Sequence, residues 1–161
     1  MKVLFDTAGC PVIEGAVITP INKGWSLDKK YRIETAQGER LLLRIADIAE
    51  RNRKKAEYSM MERAYAIGVP APKPLEFELC ENGNCCYSLV SWLPGEDAAT
   101  ALPHMSEAEQ YALGIKAGEA LHKIHTLPAP EDAEPWGDWF YRKVQGRMDF
   151  YKLEPEYPSS M

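Results

Sequence analysis

The chain has 161 residues, 45% of them hydrophobic and 27% charged, values of an ordinary globular protein that can bury a core without staples and that exclude a disordered or fibrous chain. No apolar run approaches the roughly 20 residues a membrane helix needs, and Asp6 interrupts the opening apolar stretch too early for a secretory segment, so Ala8-Gly9-Cys10 resembles a lipobox only by accident and a cytoplasmic protein is expected. The formal net charge of −5 is unevenly placed, with 13 basic and 12 acidic residues over 1–94 but 6 and 12 over 95–161; this argues against nucleic acid as the main partner and leaves either a solvated acidic surface or a cationic substrate for the second part.

The first predicted strands are Ala16–Thr19, Lys30–Thr35 and Arg40–Ala46, the last two joined by the turn Ala36–Glu39 in an antiparallel meander. A charged, helix-favouring stretch follows from about Ile48 to Ile67 and is stopped by Gly68 and by Pro70, Pro72 and Pro74. Two more strands are expected over about Leu75–Cys80 and Cys85–Trp92, ended by Pro94-Gly95. Asn82-Gly83 turns between them and places Cys80 opposite Cys85, near enough to bridge in oxidising conditions, although free thiols are expected of a cytosolic protein. No His lies close enough to these cysteines or to Cys10 and Cys86 to complete a familiar zinc pattern.

Helices take over from there. Ser106-Glu107-Ala108-Glu109 is a capping box that opens a helix to about His125, with Tyr111, Ile115, Gly118, Leu121 or His122, and His125 at helical spacing and hence one buried face. A last helix is predicted over Trp136–Tyr151, where Trp136, Trp139, Phe140 and Tyr141 read as core rather than as a binding site, and Glu154–Pro158 reads as coil. His122 and His125 stand three apart without an evident third metal ligand.

Within the third strand, a period of two puts Leu41, Leu43 and Ile45 on one face and Leu42 with Arg44 on the other. A cation two residues from an apolar side chain on one face can hold phosphate oxygens while its neighbour lines a base pocket. On a helical wheel Glu57 lies amid Met60, Met61, Ala64 and Gly68, an apolar and therefore buried face, whereas Glu62 points away. A carboxylate buried there needs a partner. Glu50, one heptad earlier, is the competing candidate.

Three strands, a helix, two strands and then helices, with these residues in this order, resemble the aminoglycoside phosphotransferase and choline kinase-like family. The resemblance covers essentially the whole chain but only about the first half of a complete family enzyme. It implies an α+β chain: a protein-kinase-like N-lobe over 1–93, made of a five-stranded antiparallel sheet and one helix, then the hinge exit and first helices of an incomplete C-lobe over 94–161. Arg44 stands where protein kinases carry a phosphate-pairing lysine, and the resemblance supplies it as the partner of Glu57, which precedes a hydrophobic pair and Val69-Pro70-Ala71-Pro72 as in the family. Arginine is a departure that keeps charge and adds bidentate geometry. Gly24 and Ser26 match the sparse phosphate-covering loop of the aminoglycoside group, and the Ser91 carbonyl and Leu93 N–H fall where the hinge reads adenine.

ATP, with magnesium, is the implied cofactor, and the implied reaction transfers its γ-phosphate to a hydroxyl of a small molecule such as an aminoglycoside, choline or a sugar-like compound. The family's catalytic loop, approximately His-Gly-Asp-x-His-x-x-Asn, has no match, and no Asn at all follows Asn84. The catalytic Asp and both magnesium ligands are therefore expected to lie in a part of the family enzyme missing from this chain. Two readings follow: a truncated and by itself inactive phosphotransferase, or a non-catalytic nucleotide-binding or interaction module derived from the same fold. Either leaves apolar faces of the helices uncovered, so a homo-dimer formed through them is expected.

Overall fold

A computed structural model describes residues 3–5, 11–13, 15–24, 26–81, 83–131 and 133–153, the first two segments and 151–153 as backbone only. Cys10, Asn82 and the coil read over 154–158 lie outside the described residues. The elements in order are β1 (Val3–Phe5), β2 (Pro11–Ile13), β3 (Val17–Pro20), β4 (Lys29–Glu34), β5 (Arg40–Asp47), α1 (Arg51–Ala66), β6 (Pro74–Leu79), β7 (Cys85–Ser91), α2 (Ala98–Ala101), α3 (Glu107–His125) and α4 (Trp136–Leu153). Two compact units result, Met1–Leu127 and Pro128–Met161.

The first unit is built on a five-stranded sheet in the order β3-β4-β5-β7-β6, antiparallel throughout, with β1 and β2 forming a separate two-stranded pair that sequence reasoning did not foresee. The alternation along β5 is as expected: Leu41, Leu43 and Ile45 are buried, Leu42 and Arg44 only partly. Opposite them in register, Tyr87 faces Ile45 and Leu89 faces Leu43, so one face of the sheet concentrates Ile33, Leu41, Leu43, Ile45, Tyr87 and Leu89 into a core. Each aliphatic side chain fully buried there stabilises the fold by about 1.5–3 kcal/mol.

The helix reading begins at a short 3₁₀ turn, Ile48–Glu50, whose start is capped by Asp47 accepting from the Ala49 N–H at 2.8 Å. It ends as its sequence signals require. Gly68, at φ +76°, donates to the Tyr65 carbonyl while Val69 donates to that of Ala64, the paired bonds of a Schellman motif, in which only glycine takes the left-handed position without strain. Val69 is buried behind the turn, and Pro70 prevents the helix from continuing.

Between β6 and β7 the turn brings the Cys80 and Cys85 Cα atoms to 5.3 Å and the two sulfurs are bonded. This corrects the expectation of free thiols at this pair: hairpin register alone sets a separation inside the bridging range. Among the described cysteines, Cys86 is the free and buried one. Helix α3 carries the full capping box, Ser106 Oγ accepting from the Glu109 N–H and the Glu109 carboxylate from the Ser106 N–H. Its predicted buried face is not buried, however. Tyr111 is 74% exposed, and Ile115, Leu121 and His125 are exposed as well, because helical spacing specifies a face but not a surface to cover it.

The second unit contains α4. Its aromatic residues are exposed, Trp136, Trp139, Phe140 and Tyr141 among them, which corrects their assignment to a core. They pack along their own helix instead: the Trp136 and Phe140 rings stack at 4.9 Å and Lys143 Nζ lies 4.5 Å from the Trp139 ring. Among the described residues no helix is long and apolar enough to cross a membrane.

Candidate functional site

The face of β5 opposite the core is the one helix α1 covers. Arg44 and Ala46 of that strand, Lys54, Tyr58 and Met61 of the helix, and Cys86 of β7 line a common small cavity. Lys54, Tyr58 and Met61 follow one another by four and three residues, so the inward stripe of α1 runs 54–58–61. Tyr58 is buried and meets the Phe77 ring at 5.5 Å.

Arg44 lies mid-strand, opposite Lys30 on one side and Ser88 on the other, and Leu42 shares its face. Its Nη2 donates to Asp28 Oδ2 at 2.6 Å, and Lys54 Nζ donates to the same oxygen at 2.8 Å. Asp28, just ahead of β4, is only 6% exposed at its side chain, against 9% for Lys54 and 30% for Arg44. Burial pushes the Asp28 carboxyl up, but the hydrogen bonds and charges of Lys54 and Arg44 outweigh it and hold the group below the ordinary aspartate value. The anion is thus fixed between two cations.

This arrangement corrects the expected Arg44–Glu57 pair. Glu57 borders the same cavity, but its carboxylate is 44% exposed and binds Arg53 at 2.7 Å and Lys54 at 3.4 Å. The reason is the stripe: with 54, 58 and 61 turned inward, Glu57 falls on the flank of the helix. Glu50 does not replace it, being paired with Arg53 on the exposed side. Sequence reasoning missed both Asp28 and Lys54. A signal for Asp28 existed, since a period of two counted back from Lys30, opposite Arg44, puts Asp28 on the Arg44 face. For Lys54 the signal was its four-residue spacing from Tyr58.

The loop between β3 and β4 forms a second concavity, to which Asn22, Lys23, Gly24, Ser26, Lys29 and Lys30 contribute. Gly24 has φ +97°, a backbone conformation that favours glycine; the nearest atom to a Cβ there, Lys30 Nζ at 2.9 Å, is the end of a flexible side chain that can move aside. Lys30 Nζ donates to the Lys23 carbonyl, and the Ile21 N–H to the Lys30 carbonyl at 2.8 Å, which closes the loop base. Ser26 is exposed beside it.

Strand β7 ends at Ser91. The Ser91 N–H donates to the Lys73 carbonyl and its Oγ accepts from the Lys73 N–H, while the Trp92 N–H donates to Arg40. Residues 92–97 then run without regular structure, so the strand does not continue through Pro94. Leu93 is 52% exposed, and its N–H has no hydrogen-bond partner among the described residues.

Elsewhere, Lys123 near the end of α3 donates to the Gly68 carbonyl at 3.2 Å. His122 and His125 are exposed, and among the described residues no group of three or more His, Cys, Asp or Glu side chains is placed to hold a metal ion.

A five-stranded antiparallel sheet with one helix, followed by further helices, is the fold the sequence resemblance implied. Comparison with curated proteins finds no match. The family model described as the phosphotransferase enzyme family matches residues 17–159, which span all five strands of the sheet and the helices after them, and the chain belongs to that family.

Proposed function

We propose that the sheet-and-helix unit is the ATP-binding part of a small-molecule kinase. The observation that carries this reading is the pairing of Arg44 and Leu42 on one strand face with a loop whose Gly24 holds a left-handed φ of +97°. Such a cradle suits backbone N–H groups approaching phosphate oxygens, and Arg44 supplies charge and a forked donor set for them. Leu42 would contact the base, and the Ser91 carbonyl and Leu93 N–H would read the adenine edge. Glu57, beside the cavity through Lys54, would set the charge balance of the cation side. When bound, ATP supplies the γ-phosphate that family enzymes transfer to a substrate hydroxyl, and magnesium offsets phosphate charge.

Support for a second reading, a non-catalytic nucleotide-binding or interaction module, comes from the sequence: no Asn follows Asn84 and no catalytic-loop pattern occurs. On either reading this chain alone turns over no substrate, because a nucleotide held at Arg44 would lack the base-like Asp and the metal ligands. A cytoplasmic location, absence of nucleic acid and membrane partners, and a homo-dimer through the exposed helices complete the proposal.

The test is a thermal-shift and calorimetric titration with ATP and with adenosine. ATP stabilises the wild type, and Arg44→Met removes most of the difference between ATP and adenosine. No shift at millimolar ATP overturns the nucleotide reading, and enzyme-like hydrolysis by this chain overturns its inactivity.

A further inference from the structure

Asp28 poses a problem for any site meant to hold a polyphosphate. Its carboxylate already occupies Arg44, at 2.6 Å and nearly out of solvent. An incoming phosphate would meet a cation whose charge is taken and an anion that repels it.

The other partners of Asp28 indicate how this resolves. Lys54 holds the same oxygen from the helix side, is itself almost fully buried, and among the described residues has Glu57 as its only other carboxylate contact, at 3.4 Å. Arg44 differs. Its side chain is 30% exposed, and one of its two terminal nitrogens makes the Asp28 bond, which leaves donors of a planar fork for a second anion. Of the two cations, the Arg44 side chain is the one open to solvent and so to a ligand. If Arg44 turns to a ligand, Asp28 is not stranded, because Lys54 still neutralises it; without Lys54 the same move would leave a buried, unpaired carboxylate, which is strongly unfavourable.

The geometry points to Asp28 as a resident anion that positions Arg44 and competes with nucleotide phosphate for it, with Lys54 as the cation that retains Asp28 when Arg44 is drawn away. This rests on the nucleotide reading above. Asp28 and Lys54 are then positioning residues, acting on the ligand through Arg44, and they set affinity for the phosphates without touching the base.

The experiment is a cycle of ATP and adenosine affinities, by calorimetry, over the wild type, Asp28→Asn, Arg44→Met and the Asp28→Asn/Arg44→Met double variant. Asp28→Asn is expected to tighten ATP by about tenfold, the scale of one charge-assisted hydrogen bond, to leave adenosine unchanged, and to have no effect once Arg44 is Met. Weaker ATP binding by Asp28→Asn overturns the proposal, since the carboxylate would then be orienting Arg44 for phosphate. Equal tightening in the Arg44→Met background also overturns it, since that is a through-space charge effect. Should Asp28→Asn fail to fold because Lys54 is left without its anion, the Asp28→Asn/Lys54→Met variant removes both and is expected to show the same gain. A wild type that binds no ATP instead refutes the nucleotide reading itself, a result distinct from normal binding without the gain.

Discussion

Replacing Asp28 by Asn removes one charge while keeping the side chain's size, and its cost to stability follows from what is left behind. Breaking a buried ion pair by deleting one partner costs about 3–5 kcal/mol. Here the loss is tempered on both sides: Lys54 keeps Glu57 at 3.4 Å, and Arg44, 30% exposed, regains water. A loss of about 2–3 kcal/mol at pH 7 is expected, or a drop in Tm of about 6–10 °C for a unit of this size. Lys54→Met should cost only about 1 kcal/mol, because Asp28 keeps Arg44 at 2.6 Å and the aliphatic stem is preserved. The pH dependence has a definite sign. The folded Asp28 carboxyl is lowered relative to the unfolded chain, so its contribution is fully present above the unfolded aspartate value of about 3.9 and is lost as pH falls through the lower folded value. The gap between wild type and Asp28→Asn should therefore be constant from neutral pH down to about 5 and close below about 4. Urea unfolding followed by circular dichroism measures both. A variant within about 0.5 kcal/mol of wild type at pH 7, or a gap that widens on acidification, would refute the reasoning.

Other positions give sharper single outcomes. Leu89, 1% exposed at the centre of the sheet, should cost about 3 kcal/mol as Leu89→Ala, and Leu42→Ala, half-buried on the opposite face, clearly less; the same urea series compares them. Ser106→Ala removes the cap of α3 and should weaken that helix by about 1 kcal/mol, read as faster amide exchange at Glu109, with no effect on the β5 amides. The Tyr87 phenol is pushed far above the ordinary range, first by burial and then by its hydrogen bond to Glu76. Absorbance titration of the folded protein to about pH 11 should therefore be unaltered by Tyr87→Phe, and a missing tyrosinate step in that variant would contradict the burial.

What the sequence disclosed and what it hid divide along physical lines. Strand alternation was legible because a period of two leaves no freedom: if Leu43 is inside, Leu42 and Arg44 are not. The end of α1 was legible because Gly68 and Pro70 act locally. The inward stripe of the same helix was misread because apolar content was equated with burial. Lys54 is buried and Glu57 is not, an order that hydrophobicity inverts, and only the carboxylate waiting on the sheet side explains it. Asp28 was overlooked for the complementary reason: it lies one residue ahead of its strand, and only by counting the period of two back from Lys30, opposite Arg44, does it fall on the Arg44 face.

These two oversights bear on the one substitution that was noticed, arginine where the resemblance leads one to expect lysine. In the protein-kinase pattern the cation is matched by a helix carboxylate, so helix position governs it. Here the matching carboxylate comes from the end of the loop between β3 and β4, two residues beyond Ser26, and the helix contributes a cation, Lys54, to the same oxygen. A lysine at 44 would bring a single point charge that Asp28 could consume. The guanidinium instead spends one nitrogen on Asp28 and keeps others free. Arginine at 44, aspartate at 28 and lysine at 54 therefore make sense as a set, and a substitution at one changes what the other two can do. Arg44→Lys should accordingly weaken ATP binding in the wild-type background and be largely tolerated in the Asp28→Asn background. Equal losses in both backgrounds, measured by the same calorimetry, would show that the fork and the carboxylate act independently.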